Sequence, residues 1–241
     1  MLRVGLLFCA FSFISCSEIT SETAVDIVNK SIEAHGGDRT FQELEAISFA
    51  KTTRLYREDG SLESETVQEQ SFTLTPNYLF ESHWMDGNDQ HQITYNRNTV
   101  SKRVNNANIA DQEAIESTLK LALSAEYVFF QPFKLQDNKG QLSYDGKYMI
   151  GDSIETSIVA VRYENDTPSS DSWRYYFDEN YRLLAASVKH NNRISFIDNL
   201  EFQTYKGILF NKVRKSYFVD SLFQNKQLRA AYHYDIIETR P

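Results

Sequence analysis

Apolar residues recur along the chain at two periods, and the change from one to the other separates helices from strands. Ala24, Ile27, Val28, Ser31, Ile32 and His35 are spaced i, i+3, i+4, i+7, i+8 and i+11, as on one face of a helix. Gly36-Gly37 ends that helix, since glycine accepts the left-handed backbone common at helix C-termini. Phe41 and Leu44 lead through a short connecting segment to Ile47, where the period drops to two. Ile47, Phe49, Lys51, Thr53 and Leu55 form one face of a strand, and Glu58-Asp59-Gly60-Ser61 supplies a hairpin turn. Further strands are expected at about 65–74, 78–85, 90–95 and 98–104. Pro76-Asn77, Asp86-Gly87 and Asn96-Arg97 stand between them, so these read as successive antiparallel hairpins.

Asp111 begins a second helix, with Ile115, Leu119, Ala122, Leu123 and Tyr127 as its stripe and Pro132 as its stop. Its end, Tyr127 to Phe133, is the densest aromatic segment in the chain. After Gly140 the two-residue period resumes, with strands near 141–150, 154–164, 172–178, 182–190, 193–203, 207–220 and 226–238. Trp173, Tyr175 and Phe177 alternate with Arg174, Tyr176 and Asp178; in Ser157 to Tyr163 both faces are apolar, so one face packs on a helix. With no internal repeat and no linker rich in Gly, Pro or Ser, residues 24–241 read as a single, mainly β (α+β) domain.

Composition narrows the class. In 241 residues, 41% are hydrophobic and 24% charged, enough to bury a core and too mixed for disorder. Lys and Arg number 25 against 33 Asp and Glu, a net charge of −8, and there is no basic block. That balance argues against a nucleic-acid partner.

Motifs for chemistry are few. The histidines are His35, His83, His91, His190 and His233, with no HExxH pattern and no HxH pair. His83 and His91, on successive strands, come within reach across a hairpin, but two histidines without a nearby carboxylate motif are a poor donor set for zinc. His35, in the last turn of its helix, more often serves the helix C-terminus than a metal. No G-x-S-x-G elbow, phosphate loop or dinucleotide fingerprint is present, and carboxylate pairs such as Asp86/Asp89 and Asp235/Glu238 have no distinguishing spacing. No catalytic residue, metal or cofactor is expected. Asn165-Asp166-Thr167 fits the short glycosylation pattern, and it reads as incidental.

The N-terminus indicates the compartment. Arg3 precedes an apolar run from Val4 to Ile14 that is too short to span a bilayer, which makes residues 1–15 a secretory signal peptide. Phe13-Ile14-Ser15-Cys16 resembles a bacterial lipobox, in which the Cys is acylated with diacylglycerol and the chain is cut just before it. The chain's two cysteines are Cys9, inside the signal, and Cys16. Acylation of Cys16 therefore removes thiol and disulfide chemistry from the mature domain. Cys16 to Thr23 becomes a lipidated tether.

The order of signal, Cys, tether, a helix ending Ala34-His35-Gly36-Gly37, Phe41 to Phe49 and then hairpins is similar to LolA-like lipoproteins of Bacteroidota. Trp173 to Asp178, Leu183 to Ala186, Ile194 to Phe196 and Gly207 to Lys212 resemble the same group. The resemblance implies an unclosed antiparallel β-barrel of about eleven strands, of the LolA/LolB type, wrapped around two or more helices. It also implies a concave apolar face that holds a lipid or a lipoprotein acyl chain, and no catalytic residues. Trp84, Tyr127, Phe129, Phe130, Phe133 and Trp173 then either line that concavity as ligand-binding residues or fill it as core, and core is the commoner fate of such residues. Cys16 places the chain nearer a membrane-anchored receptor, in the cell envelope and on the periplasmic face of the outer membrane, than a soluble shuttle. The competing expectation is an envelope protein-interaction or sensor module with the same fold and no lipid.

Overall fold

The computed structural model describes residues 22–136, 140–151, 153–163, 171–191, 193–223 and 225–237. The expected signal segment, residues 1–15, Cys16, the expected tether before Glu22, and Asn165-Asp166-Thr167 lie outside the described residues.

The chain enters through helix α1 (Ala24–Ala34). Thr23 caps it reciprocally: its Oγ1 accepts from the Asp26 N–H at 3.1 Å, and Asp26 Oδ2 accepts from the Thr23 N–H at 3.0 Å. At the other end His35 turns back on its own helix, and its Nδ1–H donates to the Ser31 carbonyl at 2.8 Å. The expected connecting segment contains a further short helix, α2 (Asp38–Gln42). Five strands follow as hairpins: β1 (Ala46–Tyr56), β2 (Leu62–Thr73), β3 (Leu79–Asp86), β4 (Asp89–Tyr95) and β5 (Val100–Val104). A two-residue strand β6 (Ala107–Asn108) leads to helix α3 (Gln112–Phe129) and a single 3₁₀ turn, Phe133–Leu135. Seven more strands complete the chain: β7 (Gly140–Ile150), β8 (Ile154–Tyr163), β9 (Ser172–Phe177), β10 (Leu183–His190), β11 (Arg193–Tyr205), β12 (Ile208–Val219) and β13 (Gln227–Ile237).

All thirteen strands form one antiparallel sheet in the order β6-β5-β4-β3-β2-β1-β13-β12-β11-β10-β9-β8-β7. The first long strand and the last pair in its middle, while β6 and β7 stand at opposite ends and do not pair, so the barrel is unclosed. The expected count of about eleven strands is low. Twelve are visible in the two-residue alternation, and β6 is too short to show any.

Register carries the apolar pattern across the sheet. Ile47, Phe72, Phe80 and Tyr95 face one another on four successive strands, and Phe49, Gln70, Ser82 and Ile93 form the next row. These rows belong to the concave face, where α1 packs on β7 and β8 and α3 packs on β4 and β5. The core lies between them. Phe49 stacks on Phe129 at 4.0 Å between centroids, Phe129 on Phe210 at 5.1 Å, and Phe72 meets Phe130 edge-on at 4.9 Å. A smaller cluster, Ile158, Tyr176, Ala185 and Phe196, sits on the opposite face, with Phe223 from the β12–β13 loop packed on it.

Candidate functional site

The position of α3 over the sheet determines what the concave face can do. Glu126, buried in the last turns of α3, accepts two hydrogen bonds from Arg97 in the β4–β5 turn and one from the Tyr78 hydroxyl at 2.9 Å. Lys134 Nζ lies 3.3 Å from the same carboxylate. Burial pushes the Glu126 carboxyl up, but the Arg97 hydrogen bonds and the two cations outweigh it, and the net shift is downward. Arg97 also stacks its guanidinium 3.5 Å from the Tyr78 ring centroid. The helix is thereby held to the β3–β5 side of the concavity.

On its other side α3 leaves a groove of about 370 Å³. Leu121, Ser124, Ala125 and Val128 form the helix wall, and Trp173, Val188 and Ile197 supply apolar groups from the sheet. Between these, the central strands β1, β12 and β13 present Lys51, Arg214, Tyr232 and Tyr234. Lys51 Nζ lies 5.7 Å from the Tyr232 ring and 5.9 Å from the Tyr234 ring. Arg214 is only 5% exposed; its Nε donates to Asn199 Oδ1 at 2.8 Å, and Asn199 Nδ2 donates to the Leu183 carbonyl at 2.7 Å. Burial pushes the Tyr232 hydroxyl above the usual phenol range, so it stays protonated and able to donate. The side-chain amide of Gln131, in the same wall, is buried with neither its nitrogen nor its oxygen hydrogen-bonded.

A larger depression of about 850 Å³ lies toward the β7–β8 and β9–β10 turns. Glu22, Glu155, Asp178, Glu179 and Asp198 line it. Lys147 pairs with Glu155 and Arg182 with Asp178 there, and Ile150, Ile154, Leu184, Leu200 and Phe202 share the lining, so the depression is mixed in character with an excess of acid.

The aromatic residues expected at a ligand site divide among three places. Trp173 lines the groove, its ring stacked on Tyr175 at 6.1 Å. Tyr127 meets Trp173 edge-on at 6.5 Å and exchanges a 2.6 Å hydrogen bond with the Tyr175 hydroxyl. Phe129, Phe130 and Phe133 are buried in the core and plug the centre of the concavity, Phe133 stacking on Phe41 at 4.3 Å. Trp84 is on the concave face but outside the groove, half-buried and stacked on His91 at 4.9 Å. The register also separates the two candidate histidines. His91 pairs with Trp84 and His83 with Gln92, so the two imidazoles lie on opposite faces and do not meet. Among the described residues no group of His, Cys, Asp and Glu is arranged to hold a metal ion. Also among them, no helix is long and apolar enough to cross a membrane.

Lys51, Arg214 and Gln131 are not among the residues expected at the site. The signal that could have found the two cations is phase: Lys51 falls on the same strand face as Ile47 and Phe49, and Arg214 on the same face as Ile208 and Phe210.

No family model matches the sequence, and no curated protein is significantly similar to it. Among solved structures, an outer membrane lipoprotein-sorting protein domain from Vibrio parahaemolyticus superposes with a TM-score of 0.52 at 8% identity, over 90% of this chain and 92% of that one. A DUF1329 family protein from Desulfovibrio piger gives 0.51 at 9% identity, over 88% and 91%. The Mycobacterium tuberculosis lipoprotein LppX aligns over 89% and 93% at 11% identity, but its TM-score of 0.31 is too low to establish a common fold. At these identities the likeness concerns the fold alone: an unclosed, LolA-like half-barrel.

Proposed function

We propose that this protein is a non-enzymatic lipoprotein of the bacterial cell envelope, anchored through acylated Cys16, whose groove holds an acyl chain or another hydrophobic ligand. The observation that carries the reading is the groove itself, about 370 Å³ between the apolar flank of α3 and the concave sheet. That volume is within the range of small-molecule sites, which are mostly concave and apolar with a few polar groups. Burial of each methylene contributes ~0.8 kcal/mol, so a chain of ten or so supplies ~8 kcal/mol of gross driving force. The half-barrel is also the fold of the Vibrio domain, which bears a lipoprotein-sorting name. On this reading the tether preceding Thr23 presents the domain to the periplasm from the outer membrane.

A second reading rests on the sheet edge. Among the described residues β7, eleven residues long, pairs on one side only, and such an edge can take an added strand from a protein partner. Crosslinking in cells separates the two, since a stoichiometric protein partner with no lipid favours this one.

The test is lipid extraction and native mass spectrometry of protein purified from membranes. The expected result is one lipid-sized ligand per chain in addition to the anchor. In Cys16→Ala the protein leaves the membrane fraction but still takes up a fluorescent fatty acid. Lipid-free protein that takes up no such probe contradicts the binding role, and persistence of Cys16→Ala in membranes contradicts the anchor.

A further inference from the structure

Every charged residue lining the groove is a cation. Lys51 and Arg214 face it, and no Asp or Glu does, although acids outnumber bases 33 to 25 in the whole chain and crowd the neighbouring depression. Neither cation makes an ion pair among the described residues. Removing a guanidinium from water with no counter-charge is costly, yet Arg214 is 5% exposed and has Asn199 as its hydrogen-bonded side-chain partner. That bond occupies one of the five N–H groups of the guanidinium. Asn199, itself fixed to the Leu183 carbonyl, holds the fork in place. Lys51 and Arg214 come from strands on either side of β13 and flank Tyr232: Arg214 is its register partner, and Lys51 Nζ lies 5.7 Å from its ring. A second, independent sign of a ligand is Gln131, 2% exposed, whose amide nitrogen and oxygen both lack partners in the same wall.

We propose that the groove selects a single-chain amphiphile with an anionic head, held by Arg214 and Lys51, with its tail along Leu121, Val128, Ile197 and Trp173. This rests on the reading of the groove as an apolar-ligand site and adds the charge of the ligand's head. A carboxylate is the simplest such head, because the guanidinium fork matches two coplanar oxygens. Protonated Tyr232 and the amide of Gln131 add neutral donors beside it. The volume, near the lower end for ligand sites, suits one chain rather than several.

The experiment compares three 12-carbon amphiphiles, laurate, dodecanol and dodecyltrimethylammonium, each below its aggregation concentration. The full chain carries Cys16→Ala, so that no acyl anchor competes. It also carries Trp84→Phe, so that of the two tryptophans only Trp173 in the groove wall reports. Laurate is expected to perturb Trp173 fluorescence with at least about tenfold higher affinity than dodecanol, the scale of one charge-assisted hydrogen bond. The cationic amphiphile is expected to bind most weakly. Lys51→Gln and Arg214→Gln each bring the laurate-to-dodecanol ratio toward one. If Arg214→Gln does not fold, Lys51→Glu carries the test, because a carboxylate on this half-buried position reverses the preference. Equal binding of laurate and dodecanol overturns the anionic selectivity while the apolar-site reading stands, and binding of none of the three overturns both.

Discussion

Arg97 and Glu126 form a bidentate ion pair, Nη1 to Oε2 at 2.7 Å and Nη2 to Oε1 at 2.6 Å, that ties the β4–β5 turn to the C-terminal turns of α3. The carboxylate is buried while Arg97 is partly exposed, so the loss of either partner is unequal in consequence. Arg97→Ala leaves a buried carboxylate with Tyr78 and Lys134 as its remaining partners, and should destabilise the fold by about 1–3 kcal/mol. Glu126→Gln keeps the shape and should cost less. Urea unfolding of both variants and the double variant measures the coupling; independent, additive effects would show that the pair does not hold α3.

Acid should weaken the fold in two steps. His35 is buried with its Nδ1–H on the Ser31 carbonyl, and burial lowers its pKa below the ordinary 6.5. The unfolded chain therefore binds its proton first, and stability falls as pH drops below about 6.5. Glu126, with its pKa lowered from 4.5, contributes stability that is present above that value and lost as pH falls toward the folded pKa. Unfolding free energy measured against pH should show both windows, and His35→Leu should flatten the upper one. An unchanged slope in His35→Leu would show that another group titrates there.

Gly36 sits with φ +120° where α1 meets the β11–β12 turn, and a Cβ there would lie 2.5 Å from the Gly207 carbonyl oxygen. Leu209 N–H donates to the His35 carbonyl at 2.9 Å across the same junction. Gly36→Ala is expected to cost more than the about 1–3 kcal/mol of backbone strain. Gly60, at φ +81°, is the control: a Cβ added there would meet nothing within 4 Å, so Gly60→Ala introduces strain alone. Equal melting temperatures for the two variants would show that the junction yields.

Core and groove should separate under substitution. Phe129→Ala removes a ring stacked between Phe49 and Phe210 and should cost about 3–5 kcal/mol. Ala125→Trp, in the groove wall, should occupy the cavity, block uptake of an apolar fluorescent probe and change stability far less. Undiminished probe uptake in Ala125→Trp would place the binding site elsewhere.

The strands were legible because one face of the sheet packs on the core, and Ile47, Phe49, Trp173, Tyr175 and Phe177 mark that face at every second position. β6 was not, since two residues carry no period, and α2 was too short to show a stripe. The site was legible only in part. Lys51 and Arg214 appear in phase with apolar neighbours, which marks them as facing inward, but which inward positions stay open depends on where α3 lies. The Arg97–Glu126 pair sets that position, and it joins residues 29 apart with no shared motif. The aromatic run Phe129-Phe130 and Phe133 announced a cluster, yet whether aromatic rings line a space or fill it depends on packing from Phe41, Phe49, Phe72 and Phe210. His83 and His91 illustrate the same limit: proximity on a hairpin says nothing until register assigns faces.

The most direct measurement is photolabelling of the protein with an acyl chain carrying an alkyl diazirine, followed by peptide mapping. The account predicts saturable insertion into α3 around Leu121 to Val128 and into the facing strands around Ile197 and Trp173. Labelling confined to the acidic depression around Glu155 and Asp178, or spread without saturation over the surface, would contradict it.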